Sequence, residues 1–176
     1  MTAERISLEN AKQDKLFYFV ANVVVYRESD GRCLILQRSA NEKVHPGKYA
    51  VPGGKLEWAD LDLKNPTRVN GDVLDYENAI EKLLVREVRE EAGIEITPRL
   101  SYMNSVAFIR PDGIPAVLAK FVATYTGGEV KLERGAFDAY AWVNAHEVND
   151  YDCIMGVPDE IRQAITMCAN RARAAA

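Results

Sequence analysis

The chain has 176 residues, 48% of them apolar and 27% charged, with a net charge of −4. That length builds one compact domain with a sizeable core, and the composition excludes disordered and fibrous classes. The negative balance argues against a nucleic-acid polymer as partner, because polyphosphate backbones select basic surfaces. It leaves room for a small phosphorylated ligand, whose charge a metal ion offsets locally. Three cysteines, Cys33, Cys153 and Cys168, are too few and too scattered for a disulfide framework or a zinc site. The start, Met1-Thr2-Ala3-Glu4-Arg5, lacks the charged-then-apolar pattern of a leader, and no apolar run reaches the roughly 20 residues that cross a bilayer. The expectation is a cytoplasmic protein with no membrane partner.

In chain order, Phe17 to Tyr26 is apolar and β-branched, Ser29-Asp30-Gly31 is a turn signal, and Cys33 to Gln37 is a second apolar run. The pair reads as a β-hairpin. Ser39 to Gly54, punctuated by His45-Pro46-Gly47 and Pro52-Gly53-Gly54, reads as a loop. Trp58 to Tyr76 has poor periodicity and turn formers at Asn65-Pro66 and Asn70-Gly71-Asp72, which fits an ordered loop or flap. Asn78 to Ala92 is the clearest helix. Asn78 and Glu81 have capping-box spacing, Ile80, Leu83, Leu84 and Val88 form an apolar stripe, and Gly93 suits the left-handed position that ends a helix. Strands recur at Arg99 to Arg110, Ala116 to Thr126 and Ala139 to Val143, the first two parted by Pro111-Asp112-Gly113. Val157 to Ala174 reads as a second helix burying Ile161, Ile165 and Met167 or Cys168, with Arg171 to Ala176 frayed. Strands, helix, strands, helix predict an α/β fold with a mixed sheet between helices.

The first helix carries the chemistry. Glu87 lies three residues from Glu90 and four from Glu91, so all three carboxylates gather on one side. Like charges at that spacing destabilise a helix by about 0.2–0.5 kcal/mol per pair, and their place near its C-terminus opposes the helix dipole. A solvated charged face is the commoner use of such residues. Here two penalties in one place invite a cation, and an all-oxygen donor set with no nearby His or Cys suits Mg²⁺. Arg86 sits four residues before Glu90 and can hold it by a charge-assisted hydrogen bond. Upstream, Gly53-Gly54 lets the backbone approach a ligand closely.

These features together resemble the Nudix family, whose box reads Gly, five residues, Glu, seven residues, then Arg-Glu-apolar-x-Glu-Glu-x-Gly-apolar. Arg86-Glu87-Val88-Arg89-Glu90-Glu91-Ala92-Gly93-Ile94 completes the second half, and Lys48 to Gly54 is similar to the usual lead-in, with Gly54 as the box glycine. Gly54 and Arg86 lie 32 positions apart where the family has 14, which implies an 18-residue insertion. The first box glutamate is therefore displaced. Counting gives Asp60 from one side and Asn78 from the other, with Glu77 and Asp72 as neighbouring alternatives.

The resemblance implies a Nudix fold. It implies Mg²⁺, or Mn²⁺, held by Glu87, Glu90 and Glu91 with the Gly53 carbonyl. It implies water attack on phosphorus in a nucleoside diphosphate linked to another group. Glu90, Glu87 and Arg86 are then the catalytic residues, and Glu133, with Asp138 beside it, is the candidate base beyond the box. Arg38, Lys55, Gly54 and Trp58 are candidate substrate contacts, Trp58 as a surface for a base, with Tyr49 and Phe137 as weaker stacking candidates and His45 as a loop contact. Two other readings stand beside this one: a Nudix-like nucleotide sensor with weak catalysis, and an isoprenoid diphosphate isomerase, for which two histidines in the whole chain are too few. A homodimer is expected only from the commonness of two-fold assemblies.

Overall fold

The computed structural model describes residues 3–9 and 11–175; the leader expectation at Met1 and Thr2 and the last frayed residue, Ala176, lie outside them. β1 (Tyr18–Arg27) and β2 (Arg32–Arg38) form the expected antiparallel hairpin, with Tyr26 opposite Cys33. Cys33 to Leu36 are all fully buried, as a strand covered on both faces requires. The stretch expected as a loop up to Gly54 contains two short strands. β3 (Tyr49–Ala50) pairs with β2 and β4 (Gly53–Lys55) pairs with β1. Two- and three-residue strands are too short to display a period of two, which is why the sequence hides them.

The poorly periodic stretch from Trp58 to Tyr76 is also ordered. It holds a 3-10 turn (Trp58–Asp60) and a separate hairpin of β5 (Arg68–Asn70) and β6 (Val73–Asp75), turned at Gly71-Asp72. Arg68 ties the hairpin to its own root through Asp75 at 2.9 Å and Glu77 at 3.1 Å. The helix α1 (Ala79–Ala92) follows, and Gly93 ends it in the left-handed conformation with its N–H on the Arg89 carbonyl. The expected capping box is absent. Asn78 itself is left-handed and its side chain makes no cap hydrogen bond. Asn tolerates it better than most residues.

The remaining strands are β7 (Glu95–Ile96), β8 (Ser101–Ile109), β9 (Pro115–Gly127) and β10 (Phe137–Val143), and the second α-helix is α2 (Val157–Ala175). The sheet runs β10-β2-β1-β9-β7, with β8 beside β9 along its first two-thirds, and β9 is parallel to β1 while the other pairs are antiparallel. Alternation along β1 divides the core. Val23 and Val25 join Leu34 and Leu36 against Leu83, Leu84 and Val88 of α1. Val24 joins Ile35 and Val122 against Val157, Ile161 and Ala164 of α2. Ile165, Met167 and Cys168 pack at the margin of that second layer, and α2 stays helical through residues expected to fray. No helix among the described residues is long and apolar enough to cross a membrane.

Leu84 is completely buried between α1 and the sheet. Leu84→Ala is expected to lower the unfolding free energy by about 2–5 kcal/mol, the usual cost of a core truncation with its cavity. Urea denaturation checks it, and a loss well under 1 kcal/mol would place α1 elsewhere.

Candidate active site

The apolar stripe that docks α1 fixes where its carboxylates go. Leu84, Val88 and Ala92 face the sheet, so Glu87 and Glu91, flanking them, are drawn toward the protein while Glu90 stays exposed. Glu91 reaches β4, where its Oε2 accepts the Gly53 N–H at 3.1 Å. That N–H is spent on Glu91, so the carboxylate lies along the side of β4 away from β1. Burial raises the Glu91 pKa to about 8; the Gly53 N–H opposes the rise, Glu87 and Glu133 add to it, and Arg38 opposes it. Glu87 is raised as well, first by burial, against Arg86 and with the help of Glu90, Asp60 and Glu133.

The two glycines are required by contact. A Cβ on Gly53 would stand 2.4 Å from the Ala21 carbonyl oxygen, and one on Gly54 would stand 2.4 Å from the Glu87 carboxyl. Neither position tolerates a side chain while β4 lies between β1 and α1.

Arg86 organises the exposed half of the cluster. It pairs with Glu90 at 3.0 Å, Glu87 at 3.1 Å and Asp60 at 3.2 Å. Asp60 is held from behind, since its other oxygen accepts the Glu57 N–H at 2.9 Å. Of the four positions left open for the first box carboxylate, Asp60 is the one that reaches Arg86. Glu77 pairs with Arg68, Asn78 stands in the left-handed conformation just before the helix, and Asp72 sits at the tip of the hairpin.

Glu133 and Asp138 separate clearly. The Glu133 N–H binds the Glu91 carbonyl at 3.0 Å, and its charge is felt by both Glu87 and Glu91. Asp138 instead accepts the Ala40 N–H at 3.2 Å and pins the loop after β2. Arg38 acts on Glu91 electrostatically while its guanidinium holds Glu42 at 2.6 Å and the Val44 carbonyl at 2.8 Å. Lys55 and Trp58 do not join the carboxylates. They line a groove of about 480 Å³ with Phe17, Tyr18, Phe19 and Leu61. Phe137 belongs to the core, 8% exposed, and Tyr49 packs edge-on against Tyr151, which removes both as stacking surfaces. His45 stays exposed in its loop.

Among the described residues, no three His, Cys, Asp or Glu side chains are arranged to hold a metal ion as they stand. The donor set nevertheless fits a hard divalent ion. Glu87, Glu90, Glu91, Asp60 and Glu133 share one locality against Arg86 and Arg38, every donor is an oxygen, and two carboxylates are pushed toward their neutral forms by burial and mutual repulsion.

Comparison with known proteins agrees with this geometry. A family model described as NUDIX domain matches residues 18–162. A nucleoside triphosphatase, NudI of Klebsiella pneumoniae, is 27% identical over 134 residues, which cover 71% of this chain and 82% of that protein. An NAD-capped RNA hydrolase, NudC of Pseudomonas putida, is 34% identical over 68 residues, 39% of this chain and 23% of that protein. Among solved structures, the NUDIX domain of Shewanella oneidensis NrtR, complexed with ADP ribose, superposes with a TM-score of 0.65 at 16% identity, over 92% of this chain and 96% of that one. The MutT protein of Methanosarcina mazei superposes with a TM-score of 0.61 at 21% identity, over 92% and 99% of the two chains.

The raised carboxylate has a sign that can be checked. Glu91 titrates near 4.5 when unfolded and near 8 when folded. The folded state keeps a proton that the unfolded state has lost, so stability of the metal-free protein falls as pH rises through that window. Melting curves without divalent ions are expected to drop between about pH 5 and pH 8, and Glu91→Gln is expected to flatten the drop. A wild-type curve that rises across that window would contradict the burial of Glu91.

Proposed function

Because the chain belongs to the NUDIX family, we propose that it hydrolyses the phosphoanhydride bond of a nucleoside diphosphate linked to another moiety, using Mg²⁺, or Mn²⁺ in its place, at Glu87, Glu90 and Glu91. The observation that carries this reading is the pair of half-buried carboxylates, Glu87 and Glu91, both raised above the usual carboxylate range and set against a glycine strand that admits no side chain. Such a site has a deficit of positive charge and a bare backbone beside it, which is what a metal-bound diphosphate fits. The names of the relatives, a nucleoside triphosphatase and an NAD-capped RNA hydrolase, support nucleotide-linked phosphates as the substrate class. The net charge of −4 supports a small nucleotide over a polymer.

In the reaction, a water oxygen forms a bond to phosphorus, the bridging P–O bond breaks, and the departing phosphate oxygen keeps the electron pair. A divalent cation at the glutamates supplies charge neutralisation on the phosphate oxygens and a lower pKa for the attacking water. The protein's own share is position and proton uptake. Arg86 fixes Glu87 and Glu90 against Asp60. Gly53 fixes Glu91. Glu133, anchored by its N–H on the Glu91 carbonyl, is the carboxylate outside the box best placed to take the proton from water. Asp60 also supports catalysis over a non-catalytic sensor, because it supplies Arg86 with the partner that the displaced box seemed to lack. The three cysteines are free, in keeping with the cytoplasmic placement we propose.

Glu90→Gln and Glu91→Gln are each expected to reduce turnover by about 10²-fold or more with the fold retained. Chromatography of the nucleoside monophosphate formed over a nucleotide panel with Mg²⁺ measures it, and near-normal formation by both variants would sink the assignment.

A further inference from the structure

The inserted segment encloses a cavity against the first two turns of α1. The 3-10 turn that opens the insertion ends at Asp60, and the β5–β6 hairpin is followed by Tyr76 and Glu77. These three residues face Ala79, Lys82 and Arg86 of α1 across a space of about 210 Å³, ample for a small ligand group with its waters. The Tyr76 hydroxyl oxygen is buried there with no hydrogen-bond partner. A buried hydroxyl left unpaired is costly, and phenylalanine would fill the same place without that cost. The hydroxyl therefore calls for a partner that enters the cavity from outside.

The polar groups in the wall divide into those already engaged and those that are not. Asp60 accepts from Arg86 at 3.2 Å with one carboxylate oxygen and from the Glu57 N–H at 2.9 Å with the other. Glu77 is held by Arg68 at 3.1 Å. Each carboxylate thus has its guanidinium. What is left over donates. Tyr76 has its O–H. Lys82, one turn before Arg86, pairs with no carboxylate among the described residues. Asn78 gives α1 no side-chain cap, so the first N–H groups of the helix are unclaimed beside Ala79. Unspent donors, one of them charged, fit an anion. Arg86 forms the far wall, and behind it stand Glu87 at 3.1 Å and Glu90 at 3.0 Å. One guanidinium therefore separates the cavity from the carboxylate cluster.

We propose that this cavity binds a phosphate group, with the Tyr76 hydroxyl and the Lys82 ammonium as its donors. The choice of phosphate rests on the nucleotide reading above. Two sources share that chemistry. A phosphate chain held at Glu87 and Glu90 passes Arg86 and sets its next phosphate in the cavity, or inorganic phosphate enters from solution as an effector. In the first case the insertion senses the length of the phosphate chain. In the second it couples free phosphate to the Arg86 contacts that hold Glu87 and Glu90. Either way the Tyr76 hydroxyl gains its partner only when the cavity is filled.

Calorimetric titration of inorganic phosphate into the metal-free protein tests the site, because without a cation the glutamate cluster repels phosphate. Saturable binding at one site is expected. Tyr76→Phe and Lys82→Gln are each expected to weaken it by about tenfold or more, as the loss of a hydrogen bond to a charged group does. Without phosphate, Tyr76→Phe is expected to melt no lower than the wild type, and it is expected to lose the rise in Tm that phosphate gives the wild type. Kinetics with Mg²⁺ separate the two sources. A substrate phosphate in the cavity makes both variants raise KM for nucleoside triphosphates more than for nucleoside diphosphates joined to an uncharged group. An effector phosphate leaves that ratio unchanged and makes both variants lose the effect of inorganic phosphate on the rate. No phosphate binding, binding untouched by both variants, or a Tyr76→Phe protein that melts lower because its hydroxyl had a structural partner would each overturn the proposal. Phosphate binding that depends on Tyr76 and Lys82 in a protein that hydrolyses no nucleotide would count against the catalytic reading alone.

Discussion

The hydrogen bond from the Gly53 N–H to the Glu91 carboxylate is the constraint around which the site is assembled. It joins the last turn of α1 to the short strand β4 at 3.1 Å, and through β4 to the centre of the sheet. It also carries a cost, because it holds a carboxylate in a half-apolar place beside two others. Burial outweighs the stabilising N–H, and Glu91 retains its proton to about pH 8. A cation bound beside these carboxylates would favour their charged forms. The like charges that weaken the helix locally are the same charges that would make it bind a divalent ion.

The rest of the fold supports that bond from both sides. Leu83, Leu84 and Val88 press α1 onto the sheet and set its rotation. β1 offers β4 a rail, and the close approach of Gly53 to Ala21 and of Gly54 to Glu87 leaves no room for a Cβ. Asp60 reaches in from the 3-10 turn after β4 and completes the set of partners of Arg86. On the other face, α2 covers the sheet only as far as the Asn22–Lys120–Asn104 row. Beyond that row Val106, Tyr18 and Phe108 are left exposed.

The long periodic elements were legible in the sequence. The β1–β2 hairpin, α1 with Gly93, the strands at β8, β9 and β10, and α2 all show a period and a punctuation. β3, β4 and β7 were not, because two or three residues carry no period. The capping box at Asn78 failed for a different reason: a cap needs an extended backbone at that position, and Asn78 is left-handed. The gathering of Glu87, Glu90 and Glu91 and the Arg86–Glu90 pair follow from helical spacing alone. Asp60 does not. It lies 26 residues from Arg86 in sequence, and counting left four candidates that only folding could sort. The Lys120–Glu160 ion pair has no local signal in the sequence, since only folding brings β9 and α2 together. Alternation of Asn22 within an otherwise apolar strand was the one signal that a polar row crosses that face.

Calorimetric titration of Mg²⁺ or Mn²⁺ into the protein near pH 7, repeated in buffers of different ionisation enthalpy, tests the central claim most directly. A proton held by Glu91 below its pKa of about 8 must leave when the carboxylate takes a cation. The account predicts binding coupled to release of close to one proton, and loss of that release in Glu91→Gln. Binding with no proton release, or a release that Glu91→Gln leaves unchanged, would contradict it.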